Sequence, residues 1–267
     1  MQINNLNPFG LEIKDLDIYK DYNFLVKNLE RLVWKNGFVC IKKLDTHWSV
    51  INTIAHILGN VADASPVDHP ECIYVGQITG QKYEDGTPKG RMGKTSEIGW
   101  HSDNCVTKKL APFIMFQGIE NLIPGHQEYL NNNLVYNTLT KEEQEELKNA
   151  EGFFFFNHDV FQNDLEDLIK PHTNWKKIIV DSPYGDTGLF YPWLFCKEIR
   201  GTSDNKYFYD LLKNKFENIE IYKHHWDIGD MFITESIFTQ HRRPPTKHAA
   251  DRMLYRVNCG KEYVWTE

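Results

Sequence analysis

From Ile219 to Tyr263 the sequence reads as strand throughout, and its interruptions, Asp227-Ile228-Gly229 and Arg243-Pro244-Pro245, are turn-formers. The first third reads differently. Phe24, Leu25, Leu29, Leu32 and Val33 recur at helical spacing, and Gly37 stands where a C-cap glycine belongs. Phe38 to Ile41 follows as a short buried strand. Thr46 is expected to cap a second helix carrying Val50, Ile51, Ile54, Ile57 and Leu58, closed by Gly59. Ile73 to Ile78, Ile114 to Phe116, Phe153 to Phe156 and Ile178 to Val180 are apolar runs of strand length. Thr140 and Glu143 form a capping box ahead of a surface helix. Asp204 to Phe216 is amphipathic, with Tyr207, Leu211 and Leu212 expected on one face. Helices early and strands late imply a mainly β fold with flanking helices (α+β), its core a β-sandwich or jelly roll.

Nothing divides the chain. There is no internal repeat and no Pro/Gly/Ser linker, so residues 1–267 read as a single domain. Between Gly80 and Gly99 the sequence turns polar and glycine-rich, which implies a long loop of the kind that often carries function. The apolar and charged fractions, 41% and 25%, are ordinary and exclude whole-chain disorder. A net charge of −7 argues against a nucleic-acid partner. No run approaches the roughly 18 apolar residues of a membrane span. The opening MQINNLNPFGLEIKDLD has neither the basic nor the apolar region of a signal peptide. Five cysteines with no CxxC pair read as reduced thiols in a cytoplasm.

Several catalytic motifs fail. Gly93-Lys94-Thr95 ends like a phosphate-binding loop, but the glycine required five positions earlier is Pro88. No GxGxxG follows a strand, and there is no G-x-S-x-G or H-E-x-x-H. What remains is H-x-D, in Gly99-Trp100-His101-Ser102-Asp103-Asn104. In an extended segment residues i and i+2 project to one face, so His101 and Asp103 are expected to aim at one atom. Downstream, Thr239-Gln240-His241 is expected at the end of the run Met231 to Thr234. Two histidines and one carboxylate are the ligand set of non-haem Fe(II) oxygenases. A chain with 11 histidines also produces H-x-D by chance. The C-terminal strand adds weight: Arg252, Leu254 and Arg256 share one face of it. Two arginines on an otherwise apolar strand suit a bound dicarboxylate, held by a bidentate fork. The alternative is a pair of edge-strand arginines in water.

With these elements in order, the sequence resembles the TauD/TfdA family of Fe(II)- and 2-oxoglutarate-dependent dioxygenases. The likeness runs from LVWKNGFVCIKKL (32–44), through Ile98 to Asp103 and Trp226 to Asp230, to Thr239 to Arg243 and the pair Arg252 and Arg256. It implies a double-stranded β-helix (jelly roll), with Fe(II) bound by His101, Asp103 and His241. Arg252 would hold the distal carboxylate of 2-oxoglutarate, and Arg256 would contact the co-substrate or an anionic group of the substrate. The family's co-substrate threonine has no counterpart in Pro124-Gly125-His126-Gln127-Glu128, where Gln127 is the stand-in. The implied reaction spends O2 and 2-oxoglutarate, releases succinate and CO2, and hydroxylates an unactivated C–H. Because Asp103 is present, hydroxylation or desaturation is expected rather than halogenation.

Glu97, four residues before His101, is expected to bind a cationic substrate group, which with Arg256 points to an amino acid or a derivative. Asn104 and Glu235 are candidates to orient neighbours; their plainer readings are a loop cap and an edge-strand charge. The partners expected are a small-molecule substrate, no nucleic acid and no membrane; a homo-oligomer is compatible with the sequence. Two other classes stay open, a non-catalytic jelly-roll ligand-binding module and a zinc hydrolase on the same triad. The arginine pair argues against both, since neither requires a 2-oxoacid clamp.

Overall fold

The computed structural model describes residues 1–64, 68–92, 96–103, 105, 109–122, 125–155, 174–246, 251–261 and 263–264. Two sheets carry the fold. The larger runs in the order Gln2–Asn5, Leu11–Lys14, Phe38–Ile41, Met231–Glu235, Phe113–Glu120, Met253–Cys259, Cys72–Thr79, Asp68–His69, with Arg91–Met92 beside Cys72–Thr79. The smaller runs Tyr222–His225, His126–Asn131, Thr239–Arg243, Ile98–His101, antiparallel throughout.

The central strands of the large sheet are apolar on both faces because both faces are covered. Met115, Ile233 and Val257 join a core with Leu29 and Val33 of helix α1 (Tyr22–Asn36) and Ile51 and Ile54 of helix α2 (Trp48–Leu58). The alternate residues Ile114, Phe116, Phe232 and Leu254 form a second core with Phe38, Tyr129 and Trp226. Tyr129 belongs to the small sheet, and its ring stacks on Phe232 at 4.0 Å between centroids. The period-2 alternation thus sorts each central strand into a helix-facing and a sheet-facing half. Arg256 lies on the sheet-facing side, opposite Phe116 and Gly76.

Local signals account for most element ends. Gly37 closes α1 at φ 82°, and a side chain there would meet the Asn131 amide at 2.4 Å. Helix α2 is capped by His47 rather than Thr46: the His47 ring nitrogen accepts from the Ser49 amide at 3.3 Å. An imidazole acceptor does there what a hydroxyl was expected to do. The Thr140–Glu143 capping box forms reciprocally, as expected. In the Asn205–Glu217 helix, capped by Asp204, the buried stripe is Phe208, Leu212 and Phe216, and Tyr207 is 50% exposed. Phe216 stacks on the buried Tyr191, so the neighbouring aromatic stripe wins the core.

His241 does not end the Met231 strand. The chain leaves the large sheet at Glu235, crosses over Ser236 to Phe238, and enters the small sheet at Thr239. Glu235 holds that crossover and is fully buried, so it is not an edge-strand charge. Its carboxylate accepts from the Ile237 and Phe238 amides, each at 2.8 Å, and from the Thr239 hydroxyl at 2.7 Å. Burial outweighs these three donors and raises its pKa from 4.5 to about 7. A carboxyl whose folded pKa lies above its unfolded value contributes most below the unfolded pKa, and that contribution is lost as pH rises through the folded one. The loss is roughly 3 kcal/mol between the two limits. In urea unfolding of wild type and Glu235→Gln at about pH 5 and about pH 7.5, the wild type should gain on the variant at the lower pH. A pH-independent difference would show that the buried carboxyl stays ionised.

Candidate active site

The small sheet brings two histidines face to face. His101 ends the Ile98–His101 strand and pairs directly with His241 on Thr239–Arg243, so both rings project to the inner face, 4.2 Å between centroids. His101 Nδ1 donates to the Gly99 carbonyl at 2.7 Å, which puts the lone pair of the neutral ring on Nε2. Phe116 and Tyr129 wall the His241 ring, with centroids at 5.6 Å and 6.2 Å. Burial, with the adjacent His101 as the second cause, pushes the His241 pKa down to about 3. Its imidazole is therefore neutral, the form that ligates metal.

Asp103 reaches the same point by a different route from the one expected. The strand stops at His101, and Asp103 lies in the turn that follows, so a turn and not the pleat sets its direction. Its Oδ1 lies 3.3 Å from His101 Nε2 and 3.8 Å from His241 Nε2. Its Oδ2 accepts a hydrogen bond from the Arg256 guanidinium. Burial works to raise the Asp103 pKa, but Arg256 and the two histidines override it and hold the carboxyl well below its usual range. With Oδ2 held by arginine, Oδ1 alone faces the histidine pair.

These three groups fit one divalent ion. Ligand atoms at adjacent positions around an octahedral ion with bonds of ~2.1 Å sit roughly 3 Å apart. The observed separations lie just beyond that. Among the described residues a second group, Cys40, His224 and Asp230, also has its ligand atoms within 4.8 Å of one another. There the Lys42 ammonium already hydrogen-bonds Asp230 and reaches Asp227 at 3.2 Å, so a lysine supplies the positive charge.

The arginines divide. Arg256 is on the Asp103 carboxylate, a contact the sequence did not reveal. Arg252 is buried, and its Nε has no hydrogen-bond partner among the described residues. Burial, with Arg243 as a second cause, lowers its pKa to about 10 and leaves it cationic at neutral pH. A buried guanidinium with an orphaned donor suits a carboxylate, the chemistry of a dicarboxylate's far end. The Tyr129 hydroxyl is likewise buried and without a partner. Gln127 is buried two residues before Tyr129, on the same inward face.

Glu97 is elsewhere, and the expectation of a substrate contact is corrected. Its side chain is 47% exposed and lies 3.6 Å from Arg242, whose guanidinium also hydrogen-bonds Glu128 and covers the Trp100 ring at 4.8 Å. Arg242 alternates with His241, so this cluster is on the outer face of the sheet, away from the triad. Asn104 lies outside the described residues. Sequence reasoning passed over Arg243, although it stands two positions after His241 and the strand period alone turns it inward. It also passed over Lys176, a buried lysine that donates to the Cys105 carbonyl at 2.7 Å and whose pKa burial lowers to about 7.

The family model described as taurine catabolism dioxygenase TauD, TfdA family matches residues 2–258. A taurine dioxygenase from Burkholderia xenovorans superposes with TM-score 0.72 at 17% identity, covering 100% of this chain and 94% of its own. The structure of AAD-2 in complex with Mn(II) and N-oxalylglycine superposes with TM-score 0.75 at 17% identity, covering 100% and 99%. No curated protein matches the chain by sequence.

Proposed function

Because the chain belongs to the TauD/TfdA family of Fe(II)- and 2-oxoglutarate-dependent dioxygenases, we propose that it hydroxylates an unactivated C–H bond of a small anionic molecule, an amino acid or a derivative of one. The observation that carries the substrate class is Arg256, which joins the metal carboxylate Asp103 and keeps 30% of its side chain exposed. Its remaining donors suit a carboxylate or similar anion beside the metal. His101, Asp103 and His241 would hold Fe(II), which when bound supplies the activation of O2 coupled to decarboxylation of 2-oxoglutarate.

The chain's own residues do the positioning. The Gly99 carbonyl fixes the His101 ring, and Arg256 limits Asp103 to one ligand oxygen. Arg252 and Gln127 take the distal carboxylate of 2-oxoglutarate. Phe116 and Tyr129 keep water from the His241 side. The proposal includes one domain over residues 1–267, a double-stranded β-helix core and a cytoplasmic setting. Among the described residues, no helix is long and apolar enough to cross a membrane.

The test is succinate release by protein supplied with Fe(II) and 2-oxoglutarate, over a panel of amino acids and N-substituted derivatives, each paired with its carboxamide. At least one acid should stimulate release well above the background without substrate, and its carboxamide should fail. Equal stimulation by acid and carboxamide would remove Arg256 as an anion site and the amino-acid class with it.

A further inference from the structure

Beside Arg252 the inner face carries a second buried guanidinium that the metal triad does not use. Arg243 follows His241 by two positions on one strand, so the pleat turns it to the same side. It is 4% exposed and donates through a terminal nitrogen to the Ser96 carbonyl at 2.6 Å. Glu128 pairs with Arg242 and Tyr129 with His241, so one step further along that register Gln127 stands across from Arg243. Leu254, two positions after Arg252, packs in the same core as Tyr129, and Arg252 lies near enough to Arg243 for the two cations to repel. Arg243, Arg252, Gln127 and the Tyr129 hydroxyl therefore gather on one buried wall.

Two buried guanidiniums near one another in a low-dielectric wall repel each other, and each has been stripped of water. Arg252 has no carboxylate partner among the described residues. A bound anion with two oxygens relieves both problems, one oxygen toward each cation. We propose that Arg243 and Arg252 form a two-guanidinium clamp on the distal carboxylate of the 2-oxo acid, so that this chain selects strongly for a dicarboxylic co-substrate. The inference rests on the reading of the site as an Fe(II)/2-oxoglutarate centre, and it makes Arg243 a binding residue.

Anaerobic titration tests it without turnover. Protein loaded with Fe(II) is titrated with 2-oxoglutarate and separately with 2-oxobutyrate, which chelates the metal the same way but has no distal carboxylate, and the visible charge-transfer band reports each Kd. Arg243→Gln should weaken 2-oxoglutarate by about 10- to 100-fold, the range of a hydrogen-bonded charge pair. Its Kd for 2-oxobutyrate should stay within about twofold of wild type, since no partner is lost. Arg243→Lys keeps the charge without the fork and should weaken 2-oxoglutarate by about three- to tenfold, again sparing 2-oxobutyrate. If Arg243→Gln does not fold, the lysine variant decides by the same comparison. Equal weakening of both acids would assign Arg243 to holding Ser96 and its strand, and no weakening of either would exclude contact; both outcomes overturn the clamp. A wild type with no band for either acid would overturn the co-substrate reading itself, and the clamp with it.

Discussion

Replacing Asp103 and His241 together with alanine is expected to remove metal binding and lower turnover at least about 10³-fold, since two of three ligands disappear and the metal does the hard chemical step. The change in stability should point the same way. An ion that binds only the folded chain raises stability by about 2.7 kcal/mol at a hundred times its Kd. Wild type should therefore melt higher with saturating Mn(II), as a redox-stable stand-in for Fe(II), than with chelator, while the double variant melts at one temperature in both. Anaerobic Fe(II) with 2-oxoglutarate should give a visible band in wild type alone. A double variant that kept the band and the metal-dependent shift would place the metal elsewhere, with Cys40, His224 and Asp230 the next group to test.

Arg252→Met should separate binding from folding. Removing one partner of a buried ion pair costs about 3–5 kcal/mol, so 2-oxoglutarate affinity should fall by two orders of magnitude or more. The free protein should respond in the opposite sense. Without a bound carboxylate Arg252 is a buried cation whose Nε has no partner among the described residues, and an apolar side chain of similar size relieves that burden. The melting temperature of Arg252→Met without ligand should equal or exceed that of wild type. A variant that melts lower and binds 2-oxoglutarate normally would make Arg252 a structural residue. This trade is the signature of a group kept for binding.

The Glu235 carboxyl shows how the fold serves the same site from a distance. It ties the crossover that carries the chain from the large sheet to the strand of His241. Six residues separate it from the ligand, and nothing in that spacing distinguishes a buried tie from an exposed charge. Burial decides, and burial is a property of the packed molecule.

Much of the architecture was legible because it depends on short-range periodicity. Helical spacing marked α1 and α2, and the Thr140–Glu143 box marked its helix. Alternation placed Arg252, Leu254 and Arg256 on one face, and the structure has Leu254 and Arg256 at alternate positions of one strand that begins just after Arg252. The same rule would have turned Arg243 inward with His241. For Asp103 the outcome holds but not the reason, because the strand ends two residues before it and a turn aims it at His101. The rule says nothing of Glu97, which precedes the strand and is taken by Arg242 on the outer face.

By itself the sequence determined which residue types stand where along the chain: two histidines and a carboxylate at ligand spacing, two arginines four positions apart near the C-terminal strand, and the order of helices before strands. Tertiary structure decided what each of them faces. Arg256 meets Asp103 across 153 positions of chain, and His101 meets His241 through a strand pairing that no local pattern encodes. It also decided which charges lose their water, leaving the Arg252 Nε without a partner among the described residues and the His241 ring neutral. Contact and desolvation depend on segments distant in sequence, so they exist only once the two sheets have closed on each other.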